Sequence, residues 1–78
     1  EMAEVTISGG SPAAGMKVIE LGFPQNARIA LLGRGGKYLI PDGETILQSE
    51  DKLILIAGNR EVLSKVINNI CTLNQSDK

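Results

Sequence analysis

The chain has 78 residues, a formal charge of −1, no histidine, and Cys71 as its only cysteine. A chain of this length forms at most one domain, and its balanced charge does not favour nucleic-acid binding, which needs a basic face. A single thiol without histidine excludes an internal disulfide framework and a zinc site. Because so short a chain buries only about 60% of its unfolded surface, we expect a second copy or a neighbouring domain to stabilise it.

The first quarter of the sequence predicts a strand followed by a short helix. Residues 4–8 alternate polar and apolar side chains, which is typical of a half-buried strand. Ser11 and Pro12 can begin a helix as its N-cap and first helical residue. Residues 16–21 are the dependable part of this helix, and Gly22 ends it.

The next predicted strand, residues 27–33, is apolar on both faces. Strict alternation places Ile29 and Leu31 on one face and Ala30 and Leu32 on the other. Apolar residues on both faces indicate that both faces are covered. A two-layer domain covers only one face of its sheet, so we expect a partner to cover the other.

A hairpin turn at residues 34–37 leads to a returning strand at 38–40, because glycine tolerates the positive φ of tight turns. Residues 41–43 form a second turn. A short extended piece at 45–47 follows, and residues 52–57 form the last strand.

The last element is a helix that begins after Asn59, a good N-cap. Its apolar residues recur at helical spacing; they are Val62, Leu63, Val66, Ile67 and Ile70. Residues 72–78 form a polar tail, which leaves a core at 4–71. The predicted fold is α+β: a small, mostly antiparallel sheet of about four strands with two helices packed on one face, in the order β-α-β-β-β-α.

Several side chains follow one another in an order that resembles a known family. An arginine ends a strand, and a glycine-containing turn, a proline and an acidic residue then precede a closing apolar strand. The residues that carry the pattern are Ser11, Gly15, Ile29, Leu32, Arg34, Pro41, Thr45, Leu47, Asp51, Leu53, Ile56 and Gly58. Over residues 4–70 this layout resembles the TrkA C-terminal domain, also called RCK-C. The family commonly has glycine before the aspartate, where this chain has Glu50.

The resemblance implies a non-enzymatic regulatory domain of prokaryotic potassium channels, potassium uptake systems or cation–proton antiporters. Residues 21–24 and 41–45 look most like the version attached to antiporters. We therefore expect residues 1–78 to be a single domain of a larger transporter or its regulatory subunit, on the cytoplasmic face of the membrane. No run approaches the roughly 20 apolar residues of a membrane-spanning helix, so we expect no membrane insertion of this segment.

The resemblance also implies a homodimer, because some family members bind cyclic di-AMP in the groove between two such domains. Arginine can hold a phosphate bidentately, and two arginines bracket the doubly apolar strand. The expected ligand-binding residues are Arg28, Ile29, Arg34 and Pro41. The expected dimer interface consists of Arg28, Ile29, Ala30, Leu31 and Leu32. The alternative for the two arginines is a pair of solvated charges at the strand edge.

Other candidate sites favour structural roles. Residues 9–12 and 33–36 match no phosphate-binding motif and favour plain turns. Four acids could hold a hard cation but lack calcium-loop spacing; they are Asp42, Glu44, Glu50 and Asp51. We expect no catalytic residues, no metal and no cofactor besides the cyclic dinucleotide. The alternative function is a purely structural dimerisation domain without a ligand.

Overall fold

The computed structural model describes residues 1–72, which form one four-stranded antiparallel sheet, a 3-10 helix and an α-helix. The strands are β1 (Met2–Thr6), β2 (Ala27–Arg34), β3 (Lys37–Leu39) and β4 (Lys52–Ala57), arranged across the sheet in the order β1-β4-β2-β3. The 3-10 helix is Val18–Leu21 and α1 is Arg60–Thr72. The predicted α+β class and element order are confirmed. Residues 73–78, the rest of the predicted tail, lie outside the described residues.

Two predicted elements differ in extent from the structure. The first strand begins at Met2 instead of residue 4, because Met2 pairs with Ile56 and Ala3 with Leu55. The first helix is only one 3-10 segment, and residues 12–15 form turns. Gly15 has a φ of 93°, outside helical geometry. Gly22 ends the 3-10 helix in a left-handed conformation, as predicted.

The core lies between α1 and one face of the sheet. Asn59 caps α1, since its Oδ1 accepts the Val62 N–H at 2.9 Å. The buried face of α1 contributes Leu63, Val66 and Ile70. The sheet and loops add further buried apolar side chains to the same cluster: Ile7, Ala13, Ile29, Leu32, Leu47, Leu53, Leu55 and Ala57.

A β-bulge in β2 overturns the predicted alternation of its side chains. Ile29 pairs with Leu55 and Leu31 pairs with Ile54, so Ala30 is an extra residue between them. The insertion shifts the side-chain parity, which places Ile29 and Leu32 together in the core. Leu31 instead lies on the opposite face, where its side chain is 38% exposed. The prediction that Ile29 and Leu31 share a face is therefore wrong.

The sheet face away from α1, which we term the open face, is not covered within residues 1–72. Its apolar centre consists of Met2, Leu31, Ile54 and Ile56. At its far end, Tyr38 pairs with Gly33 across β2 and β3. The tyrosine ring covers this glycine so closely that a Cβ on Gly33 would lie 2.9 Å from the ring.

The β2–β3 hairpin closes through a two-residue turn. Arg34 pairs with Lys37, and both Gly35 and Gly36 have positive φ, as a type I′ turn requires. The predicted turn is confirmed. The returning strand begins one residue earlier than predicted, at Lys37.

A second, irregular ribbon joins residues 15–19 to residues 43–47. Its backbone hydrogen bonds include Gly15 N–H to the Leu47 carbonyl at 2.7 Å and Ile19 N–H to the Gly43 carbonyl at 3.0 Å. Leu47 lies in the core and anchors the ribbon. The predicted extended piece at 45–47 is therefore part of a ribbon that forms one wall of the groove described next.

Candidate functional site

A groove of about 640 Å³ lies beside the first half of β2. It is lined by Ala27–Ala30 of β2 and by the 3-10 helix with the following loop. The segment 40–43 that follows β3 also lines it, next to the 3-10 helix, because the Ile19 N–H donates to the Gly43 carbonyl. The volume falls in the range of about 300–1,000 Å³ that is typical of small-molecule sites.

The walls of the groove are apolar and exposed. Ile19 is 66% exposed and Ile40 is 81% exposed. Ile56 reaches the groove from the open face, so the two surfaces are continuous. Exposed apolar side chains clustered around a concave surface mark a place that a ligand or another protein covers.

Arg28 supplies the available charge of the groove. Among its lining residues the other charged side chain is Asp42, which is engaged in its own turn. The Asp42 Oδ1 accepts the Glu44 N–H at 2.9 Å and the Thr45 hydroxyl at 3.2 Å. Within residues 1–72, Arg28 forms no ion pair. The groove therefore offers one free cation between apolar walls, an arrangement suited to an anion with flat apolar parts.

Three of the four predicted ligand-binding residues come together here. Arg28, Ile29 and Pro41 all line the groove. Arg34 does not line it, because its guanidinium holds the carboxylate of Asp51. Arg34 Nε donates to Oδ1 at 2.8 Å and Nη2 donates to Oδ2 at 2.6 Å. Its contribution to ligand binding remains a prediction that its position does not support.

The Arg34–Asp51 pair fastens three segments to one another. Asp51 is 1% exposed, and it also accepts the Gln48 N–H at 2.8 Å. Arg34 Nη2 donates in addition to the Ile46 carbonyl at 2.9 Å. The pair thus ties the end of β2 to the ribbon and to the turn before β4. Asp51 therefore has a structural role in its turn, and its pairing with Arg34 was not predicted from the sequence.

The ion pair shifts the pKa of both partners. Burial by itself raises the pKa of Asp51, but hydrogen bonds from Arg34 and Gln48 and the positive charge of Arg34 outweigh it. The net result is a pKa below the ordinary value for aspartate. The hydrogen bond to Asp51 likewise raises the pKa of Arg34.

The predicted dimer-interface residues divide between the two faces of the sheet. Leu32 is fully buried and Ile29 is 6% exposed, so both side chains belong to the core. Arg28 and Leu31 are exposed, and Ala30 is half-buried at the bulge. The exposed part of the prediction is therefore Arg28, Ala30 and Leu31. The buried side chain of Leu32 offers no surface to a partner.

The loop at residues 9–12 serves the fold. The Ser11 hydroxyl accepts the Ala13 N–H at 3.2 Å and donates to the Ile70 carbonyl near the end of α1 at 3.0 Å. Among the four acids, Glu44 forms an exposed ion pair with Lys17 at 3.1 Å. Within residues 1–72, no group of three or more His, Cys, Asp or Glu side chains could hold a metal ion.

The apolar walls of the groove were not predicted from the sequence. Ile19 and Ile40 are distant in sequence and lie in short or irregular segments. Their exposure depends on how the ribbon packs, and no local sequence pattern predicts it. Within the described residues, no helix is both long and apolar enough to cross a membrane.

The sequence of this chain is similar to those of known proteins. The family model of the TrkA-C domain matches residues 2–70. The Trk system potassium uptake protein TrkA homolog of Archaeoglobus fulgidus is 36% identical over 62 residues, which cover 80% of this chain and 14% of that relative. The chain thus corresponds to about one seventh of that relative's length.

Solved structures share the fold. The RCK C domain of the potassium transport protein KtrA, in complex with cyclic diadenosine monophosphate (c-di-AMP), is 27% identical with a TM-score of 0.75, covering 90% of this chain and 82% of that chain. The RCK_C domain dimer of S. agalactiae BusR, in complex with c-di-AMP, is 18% identical with a TM-score of 0.72, covering 96% and 94%. BusR in complex with its busAB-promotor DNA matches over 37% of that chain.

Proposed function

The chain belongs to the TrkA-C domain family, and from that premise we propose that it is a non-enzymatic regulatory domain of a potassium or cation–proton transport system. The domain acts as a homodimer at the cytoplasmic face of the membrane, beside or within the transporter. Segments 21–24 and 41–45, which resemble the antiporter version of the family, border the groove and favour a cation–proton antiporter.

The ligand of this domain is a cyclic dinucleotide such as c-di-AMP, bound in the groove beside β2. The observation that carries the proposal is the convergence of Arg28, Ile29 and Pro41 on one concave surface. The guanidinium of Arg28 suits a phosphodiester, and the exposed isoleucines suit the flat faces of the bases. The c-di-AMP complexes of the KtrA and BusR domains support this ligand class.

Regulation follows from a shift of populations. A ligand held by both copies favours the dimer geometry in which both grooves face it. The attached transporter is thereby biased toward the state that fits this dimer geometry. The largest possible bias is the difference in ligand-binding free energy between the two dimer geometries. The domain therefore needs no catalytic group to act.

Calorimetry on the purified domain tests the ligand proposal. We expect c-di-AMP to bind with one ligand per two chains. The Arg28→Ala variant should bind about 10- to 100-fold more weakly, because a hydrogen bond to a charged group is worth about 1.5–3 kcal/mol. Lys37→Ala is the matched control, since Lys37 is an exposed cation outside the groove. Absence of binding, or equal weakening in the two variants, contradicts the proposal.

One observation favours the alternative of a purely structural dimerisation domain. Arg34 is committed to Asp51, which leaves one free cation per chain in the groove. A dimer that binds neither c-di-AMP nor other nucleotides in calorimetry would support this second function. The exclusion of nucleic acid stays a prediction; a shift assay with duplex DNA tests it.

A further inference from the structure

One strand edge in the middle of the chain has no neighbour. β3 pairs with β2 only from Leu32 to Arg34. From Ala27 to Leu31, β2 is paired with β4 on one side, and within residues 1–72 no strand lies on its other side. Residues 27–30 of this free edge line the groove.

Neighbouring hydrogen bonds determine which backbone groups of β2 bond to β4 and which point outward from the free edge. The Gly58 N–H donates to the Asn26 carbonyl at 2.9 Å, so Asn26 bonds toward β4. In an antiparallel pair, hydrogen-bonded and non-hydrogen-bonded residues alternate along the strand. The backbone N–H and C=O of Arg28 therefore also bond to β4, whereas those of Ala27 and Ile29 point away from β4. The Ala27 N–H accordingly donates to Pro24 on the outer side.

Ile29 therefore presents both its N–H and its C=O to the groove without a partner in the described chain. The residue lines the groove and is 6% exposed as a whole. Unpaired N–H and C=O groups along a strand edge are a template for pairing with another strand. A strand that enters the groove and offers both a donor and an acceptor opposite Ile29 satisfies both groups.

We propose that the free edge of β2 pairs antiparallel with the same edge of a second copy, with the two Ile29 residues opposite each other. This inference rests on the proposed homodimer and specifies its contact. A hydrogen-bonded antiparallel pair exchanges both N–H···O=C bonds between opposite residues. A two-fold axis between the two Ile29 residues thus satisfies all four groups with one self-complementary contact.

The bulge makes this register unique. Beyond Ala30 the parity of the strand changes, so that Leu31 pairs with Ile54 and Leu32 with β3. Ile29 is consequently the last residue before β3 whose N–H and C=O both point away from β4. Another register would place against Ile29 either a residue that bonds toward β4, or Ala27, whose N–H already donates to Pro24. The bulge therefore limits the contact to a short, defined pairing and prevents open-ended strand addition.

The same register brings together side chains that line the groove. Arg28 lies opposite Ala30 of the second copy, and both side chains line the groove. The two Arg28 guanidinium groups then flank the two-fold axis on one face. Their mutual repulsion weakens the empty dimer, and an anion that lies across the axis relieves it. Pairing and anion binding therefore reinforce each other.

Disulfide cross-linking tests the register. In a Cys71→Ser background, a mixture of the Arg28→Cys and Ala30→Cys proteins should give a disulfide-linked dimer under mild oxidation. Opposite residues in a non-hydrogen-bonded pair lie about 4.5 Å apart at Cα, within the range of about 4.4–6.8 Å for disulfides. Each variant oxidised alone should remain unlinked, because the register does not place either residue opposite itself.

Amide hydrogen exchange on the wild-type chain tests the backbone contact directly. Exchange of the Ile29 N–H should slow as protein concentration rises through the dimerisation range, or when c-di-AMP is added. The Ala27 N–H, which already donates to Pro24, is the matched control and should not change.

Sedimentation of the same samples separates the two proposals. A dimer without the 28–30 cross-link, or with unchanged Ile29 exchange, overturns the edge pairing and leaves the proposed homodimer intact. A chain that stays monomeric at all concentrations, with and without c-di-AMP, overturns both. Cross-linking in the Arg28→Cys protein alone, as efficient as in the mixture, also overturns the proposed register.

Discussion

At the scale of single residues, Asp51 has the environment furthest from that of a solvated side chain. It is a fully buried carboxylate that receives two hydrogen bonds from Arg34 and one from the Gln48 N–H. Such a pair adds little relative to an apolar replacement of both partners, but removal of one partner leaves the other charge without compensation. The fold therefore depends on Asp51 more than its place in a polar turn suggests.

We expect Asp51→Asn to lower the free energy of unfolding by about 2–4 kcal/mol at neutral pH. Urea denaturation measures the change. The exposed carboxylate of Glu44, paired with Lys17, gives the control: Glu44→Gln should change stability by less than about 1 kcal/mol. Equal effects of the two substitutions would show that burial of the Arg34–Asp51 pair is unimportant.

The lowered pKa of Asp51 gives this effect a pH dependence. A carboxyl group whose pKa falls on folding stabilises the protein fully above its unfolded pKa of about 3.9. The contribution is lost as pH falls from there through the folded pKa. The wild-type chain should therefore lose more stability than Asp51→Asn between about pH 5 and pH 2. Parallel acid profiles of the two proteins would contradict this.

The backbone of Glu50 is strained, at a position where the sequence pattern had already indicated a departure from the family. Its φ is 76°, in the left-handed region, at the position where the family commonly has glycine. Its N–H donates to the Ile7 carbonyl, which holds the turn in this conformation. A left-handed conformation costs a non-glycine residue about 1–2 kcal/mol, so the chain tolerates the strain for the sake of the turn.

Glu50→Gly should raise the free energy of unfolding by about 0.5–1 kcal/mol, because relief of the strain exceeds the added freedom of the unfolded chain. The neighbouring Ser49 has no positive φ, and Ser49→Gly is therefore expected to lower stability slightly. Thermal melting at one protein concentration compares the variants. A loss of stability in Glu50→Gly would mean that the glutamate side chain contributes more than its backbone costs.

At the scale of elements, α1 stabilises the domain through a narrow apolar stripe. Ile70 is buried at its last turn, and the Ile70 carbonyl accepts the Ser11 hydroxyl. This region therefore joins the end of the helix to the loop after β1. Helices of this length derive most of their stability from such packing, not from propensity.

We expect Ile70→Ala to cost about 2–5 kcal/mol, the usual range for removal of a large aliphatic side chain from a core. A domain of this size has only about 3–5 kcal/mol to lose, so the variant should be largely unfolded at room temperature. Circular dichroism measures the helix content. Asn69→Ala, on the exposed side of the same turn, should keep the wild-type spectrum; similar loss in both variants would contradict a packing effect.

Elements with a strong local pattern were predictable, and those set by pairing were not. The bounds of β4 match the prediction, because Lys52–Ala57 is an apolar run between turns. The resemblance to the TrkA-C family is also confirmed. The bulge was missed because Ala30 carries no glycine or proline signal, and alternation then assigned its neighbours to the wrong faces. The start of β1 was missed because only its pairing with β4 extends it to Met2.

The candidate site was predictable only in part, for the same reason. Arg28 and Pro41 were found because charge and turn chemistry mark them in the sequence. Ile19 and Ile40 were not found, since an isolated isoleucine has the same appearance in a core and on a groove wall. Arg34 had two readings, a phosphate ligand or a strand-edge charge, and its actual partner Asp51 lies 17 residues away in sequence.

At the scale of the whole molecule, the fold has a covered and an uncovered side. α1 covers one face of the sheet, while the open face and the adjoining groove expose large apolar side chains; they include Met2, Ile19, Leu31, Ile40 and Ile56. The expectation that a second copy covers this excess stays a prediction, and the structure identifies the surface involved. Because the groove and the open face share Ile56, one partner could cover both.

The position of Tyr38 over Gly33 has a practical consequence. Tyr38 is the only tyrosine and the chain has no tryptophan, so its ultraviolet emission comes almost entirely from one ring on the β2–β3 hairpin. An emission-detected melt therefore reports the hairpin, whereas ellipticity at the helix band reports α1. Coincident curves from these two optical signals would establish an all-or-none transition, and earlier loss of the emission signal would identify the hairpin as the first part to open.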